Sequence, residues 1–146
     1  MKASRLISTL LAMFVLSCMS CGEICMFTKT NVCISNSCDP TEGDVELVDS
    51  AVYVLLESLK HCKETEIDYV RAAQYVTLAH VILRSQPVNP VTQVEVDGYY
   101  WGIEIVSKRQ IGTLAHELLH LVMWFDLDVI DYDHSWPEWK CLSQKL

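Results

Sequence analysis

The run from Ile111 to Phe125 constrains this chain more than any other stretch. Its apolar residues Ile111, Leu114, Ala115, Leu118, Leu121, Val122 and Phe125 return every three or four positions. That is the spacing of a single buried stripe on an α-helix. Ser107 is the expected N-cap, and no proline interrupts the run before Pro137. The spacing predicts a helix over Lys108 to Phe125. The rest of the core has to be built around that stripe.

The same run reads His116-Glu117-Leu118-Leu119-His120, an H-E-x-x-H pattern. Residues four apart stand one above the other on a helix, so His116 and His120 can aim two imidazoles at one metal ion. Glu117 lies beside the first of them, where a carboxylate can take a proton from a water. A catalytic zinc usually takes three protein ligands, so a third donor is required. His134 is the first histidine after His120, and the intervening loop is long enough to turn the chain back. Asp128 and Asp131 are rival third ligands on the same loop. A Gly and His within six residues of the motif are missing, which excludes the metzincin arrangement. Asp126, Asp128, Asp131 and Asp133 read first as a solvated acidic loop, and second as carboxylates supporting a ligand histidine. They lack the glycine and terminal glutamate of a calcium loop.

From Lys108 to the end, the chain resembles the minimal zincins of the SprT and WLM type. The resemblance is carried by His116-Glu117-Leu118-Leu119-His120, then Trp124, then His134-Ser135 followed by Pro137 and Trp139. It implies a small zincin-like domain of α+β class, with helices packed on a short sheet or hairpin. His116, His120 and His134 would be the zinc (Zn2+) ligands and Glu117 the catalytic residue. It also implies that an edge strand beside the active-site helix binds the substrate backbone by strand addition. Tyr99, Tyr100 and Tyr132 are the candidates for stabilising an oxyanion, with nothing to choose among them.

Met1 to Arg5 is basic, and Leu6 to Leu16 is apolar and short, the layout of a secretory signal peptide over residues 1–17. Val15-Leu16-Ser17-Cys18 resembles a bacterial lipobox, so Cys18 is the expected lipidation site, against ordinary cleavage and secretion. The expectation is an exported chain, anchored to a membrane as a lipoprotein of the periplasm or cell surface, or else secreted. Removing Cys18 from seven cysteines leaves Cys21, Cys25, Cys33, Cys38, Cys62 and Cys141, enough for three disulfides. Residues 18–41 form a Cys-rich segment, where some of these pair, and Cys62 or Cys141 ties the C-terminal segment to the body. The 21–25 and 33–38 spacings do not make zinc knuckles.

Residues 42–146 hold the metallopeptidase domain, expected as a monomer. Nineteen acidic and eleven basic residues give a net charge of −8, with no basic stripe. The expectation is therefore no nucleic-acid partner, although the best-known SprT-type enzymes act on DNA-bound proteins. Residues 39–44 read as a turn and helix start, followed by a helical period through Val45, Val48, Val52, Leu55, Leu56 and Leu59 to about His61. A second helix starts near Ile67, with Thr65 and Asp68 as a capping box, and runs toward Leu83. Its second half is β-branched enough to be a strand. Residues 85–90 form a rigid loop. Asp97-Gly98 between β-rich runs predicts a hairpin turn, with Trp101, Ile103 and Ile105 on one face. Ser135 is expected to cap a final helix with Pro137 in its first turn. His61 and His80 read as ordinary histidines. Two functions follow: a zinc-dependent peptidase acting on peptides or proteins, or a non-catalytic metal- or protein-binding lipoprotein on the same scaffold. A disulfide-rich structural protein with an accidental motif is the third reading.

Overall fold

The computed structural model describes residues 25–35, 40–130 and 133–144. The expected signal peptide, Cys18, Cys21, Cys38, Asp131 and Tyr132 lie outside those residues. The first helix, α1 (Glu42–His61), starts where a capping box forms. Thr41 Oγ1 accepts from the Asp44 amide at 3.2 Å, and the Asp44 carboxylate accepts from the Thr41 amide at 3.0 Å. Its stripe Val48, Val52, Leu55 and Leu59 is buried. After His61 the chain makes a bend, and α2 (Tyr69–Tyr75) follows.

Asp68, rather than a Thr65–Asp68 box, caps α2; its carboxylate accepts from the Val70 and Arg71 amides. Thr65 is engaged elsewhere, donating to Glu138 at 2.7 Å. The expected long helix stops at Tyr75. A 3-10 turn covers Val76–Leu78, and the β-branched remainder becomes a strand, His80–Leu83.

The strands in chain order are β1 (Met26–Phe27), β2 (Cys33–Ile34), β3 (His80–Leu83), β4 (Gly98–Trp101) and β5 (Glu104–Ser107). They form one mixed sheet in the order β1-β2-β3-β5-β4. β2 and β5 run parallel to β3, while β1 and β4 pair antiparallel with β2 and β5. The Cys25–Cys33 disulfide bridges the β1–β2 hairpin. Asp49 on α1 accepts two amides and the Thr30 hydroxyl from its turn.

The hairpin at the other edge is displaced from the expected position. It turns at Gly102, where φ is +63°, and not at Asp97-Gly98. Asp97 instead receives Lys108 Nζ at 2.6 Å, and Gly98 pairs with Ser107 inside the sheet. Residues 92–96 are not a strand; they return from a loop closed by the Val88–Glu95 bridge. Trp101 and Ile103 flank the turn in solvent while Ile105 is fully buried, so the three do not share a face.

Helix α3 (Ile111–Leu127) follows β5 directly. It starts three residues later than expected, because Ser107 is the last residue of β5 and buried. Gln110 takes the N-cap position with no side-chain cap. Helix α4 (Pro137–Ser143) opens at Trp136 with Pro137 as its first residue, so Ser135 is not the cap. The four helices pack on the sheet, with α1 touching α2, α3 and α4, and α3 lying along β4 and β5. The α+β expectation holds in this form.

The Cys62–Cys141 disulfide joins the end of α1 to α4 across 79 residues. Closing so long a loop in the unfolded chain is worth about 4 kcal/mol in the chain-entropy picture. A Cys62→Ser/Cys141→Ser double variant is therefore expected to lose about that much stability, read by urea unfolding. A loss below 1 kcal/mol would show that this bond constrains little.

Candidate metal centre

Helix α3 carries the first part of the site. Leu114, Leu118, Leu119 and Leu121 are fully buried against the core, which fixes the helix rotationally. His116 and Glu117 then face the edge of the sheet, and His120 follows one turn later. His116 and His120 have ring centroids 5.0 Å apart. Tyr100 of β4 stacks on His120 at 4.9 Å with 15° between the planes. It thereby sets the orientation of that imidazole.

The chain leaves α3 through Asp128, whose φ of +55° makes a left-handed cap. Its amide donates to the Met123 and Trp124 carbonyls. His134 brings the chain back, also with positive φ (+56°), a conformation histidine adopts more readily than most residues. Its Nε2 lies 3.0 Å from Nε2 of His116. Ligand atoms of His116, His120 and His134 all fall within 4.8 Å of one another, a group that can hold a metal ion.

Asp128 is exposed and outside this group, and so is Asp133. Asp126 belongs to the last turn of α3, where Arg71 Nε approaches it at 2.7 Å. His61 contacts Glu57, and His80 is exposed on β3.

Trp139 of α4 forms the floor. Its ring centroid is 4.6 Å from His116, 4.6 Å from His120 and 4.4 Å from His134. The helix carrying it is held by the Cys62–Cys141 bond and by Glu138. Glu138 is fully buried and accepts from Thr65 Oγ1 and the Glu66 amide. The sequence marks Trp139 through the resemblance and does not place it against all three imidazoles. That contact depends on a disulfide and a buried carboxylate 72 and more residues apart in the chain.

The electrostatics favour neutral groups. Burial, and then the neighbouring His134, lower the His116 pKa, which leaves its lone pair available for a metal near neutral pH. Burial pushes Glu117 up to about 7. Its carboxylate packs against the Cα of Gly98. A Cβ there would stand 2.9 Å from Glu117 Cγ, 3.0 Å from its Oε1 and 3.1 Å from the Val106 carbonyl. Gly98 is thus glycine because the glutamate occupies its side-chain space. The sequence signal at Asp97-Gly98 was real, but its cause was this close approach.

These groups open into a cleft of about 500 Å³. Helix α3 and His134 form one wall, β4 runs along it, and the loop 89–92 closes the far side. Asn89 shapes that loop by accepting from the Val91 and Thr92 amides. Tyr99 and Tyr100 both line the cleft. Comparisons with protein-family models, curated proteins and solved structures find no match to this chain.

A glutamate whose folded pKa is raised disfavours folding above its unfolded value. The folded protein loses stability as pH climbs from about 4.5 through 7, where Glu117 must ionise in place. The metal-free Glu117→Gln variant is expected to exceed the metal-free parent by about 3 kcal/mol at pH 8. The two should match near pH 4. Thermal unfolding at both pH values checks this, and equal stability at pH 8 would refute the buried, uncharged glutamate.

Proposed function

We propose that the protein is a zinc-dependent peptidase of the minimal zincin kind, exported from the cell. One observation carries the reading. Three imidazoles converge on one point, and the glutamate that follows the first of them lines the same cleft. The donor set fits zinc. Two nitrogens each 2.0–2.1 Å from a tetrahedral zinc stand about 3.3 Å apart, and the His116–His134 separation of 3.0 Å is close to that. Three imidazole nitrogens also leave one position open, the arrangement of a catalytic rather than a structural zinc.

Zinc, when bound, acidifies a water and polarises the carbonyl under attack. The chain supplies the rest. Trp139 and Tyr100 pack against the imidazole rings and hold their planes. Glu117 receives the proton of the attacking water on a carboxylate oxygen and passes it to the leaving amine nitrogen. The outer strand β4 offers backbone groups to an extended peptide, which places a substrate beside Glu117.

The two disulfides among the described residues are consistent with an oxidising compartment and so with export. Among the described residues no helix is long and apolar enough to cross a membrane. A signal peptide over 1–17 and a lipid on Cys18 complete the reading as a membrane-anchored enzyme with peptide or protein substrates. The competing reading, a metal-holding protein without turnover, differs only in what Glu117 does.

Elemental analysis is expected to find about one zinc per chain, lost in His120→Ala and weakened in His134→Ala. Glu117→Gln should keep the zinc and lose peptide cleavage by about 10³-fold. Zinc retention with no cleavage by the parent would establish the binder, and absence of zinc would remove the metal centre altogether.

A further inference from the structure

A second hollow adjoins the metal cleft. It measures about 370 Å³ and is lined by Tyr100, Trp101, Gly102, Trp124 and Ile130. Tyr100 and Trp101 line both, so the two share a wall. No Asp, Glu, His, Lys or Arg is among the described residues that line this second hollow. Trp101 is 67% and Ile130 53% exposed, a large apolar area left in water on either side of the opening. At Gly102 a Cβ would reach to within 3.7 Å of the Trp124 ring, so the missing side chain leaves that indole uncovered. Neither hollow is lined by Lys or Arg, and the chain carries a net charge of −8. Among the described residues, neither hollow thus offers a Lys or Arg side chain to pair with an acidic one.

The direction of a bound peptide follows from the register. Gly98 lies against Glu117, Tyr100 against His120, and Gly102 against Trp124. Strand β4 and helix α3 therefore run the same way. A peptide added antiparallel to β4, the more stable pairing, enters with its N-terminal half at Gly102 and leaves past Gly98. Trp124 stands one helical turn beyond His120, about 5 Å. That is close to two residues of extended peptide.

We infer that this hollow is a specificity subsite for one aromatic or large aliphatic side chain, about two residues N-terminal to the scissile bond. The preferred substrates are extended peptides carrying that residue between neutral or basic neighbours. The inference rests on the peptidase reading for the position of the bond, and on the hollow alone for the side chain it takes.

The test uses the purified, disulfide-bonded, zinc-loaded protein and a library of extended peptides varied at the three positions before the cleaved bond. Phe, Leu or Trp should exceed Gly and Asp by about tenfold or more in kcat/KM at one of those positions. The ratio should collapse toward one in Trp101→Ser and in Ile130→Lys, both exposed positions that fold without difficulty. Cleavage with no such preference, or a preference untouched by both variants, overturns the subsite and leaves the peptidase standing. If the parent cleaves nothing, fluorescence anisotropy of labelled Phe and Gly peptides decides. Binding of the Phe peptide about tenfold tighter, lost in Ile130→Lys, supports the subsite while the peptidase reading falls. Equal binding overturns both.

Discussion

The burial of α3 governs this structure. Four leucines of the helix are fully inside, each worth about 2 kcal/mol of apolar transfer. The helix cannot rotate without exposing them. That fixed rotation turns His116, Glu117 and His120 toward the edge of the sheet, where a cleft replaces the core. Three polar side chains on a largely buried helix are costly unless they have partners. Here they meet ring faces, one another and the open cleft, and Glu117 meets the condition by favouring its uncharged form.

The site is completed from the other end of the chain by long-range ties. α4 brings Trp139 beneath the imidazoles, and the segment before it brings His134. The Cys62–Cys141 bond and the Glu138–Thr65 contact both anchor α4 to the segment that ends α1. The geometry of the third imidazole is thus coupled to the oxidised state of a pair of cysteines outside the cleft. A chain exported to an oxidising compartment acquires both together.

The edge strand shows how one residue can carry two kinds of signal. Asp97-Gly98 has the composition of a tight turn, and the sequence reading placed the hairpin there. The strand pairing continues through Gly98 because Asp97 is drawn to Lys108 and because Glu117 fills the space a side chain would need. The turn falls instead at Gly102, where a positive φ requires glycine. Both glycines are explained, but by different constraints. The same competition ended the second helix at Tyr75, where β-branched residues joined the sheet beside β5.

What the sequence determined by itself is what depends on short spacing. The period of the α3 stripe, the i, i+4 histidines with their glutamate, the start and length of α1, and the α+β class were all legible from neighbours within a turn or two. The choice of His134 over Asp128 was open in the sequence, because loop residues carry no period that fixes where they point. The tertiary structure brings His134, and not Asp128, beside His116 and His120. A left-handed turn at Asp128 sends that carboxylate into solvent, and a second one at His134 returns an imidazole to within 3.0 Å of His116. The Trp139 floor, the displaced hairpin and the apolar hollow beside the cleft were likewise set by packing between segments distant in the chain. No local pattern records such contacts, since their energy exists only once the core has formed.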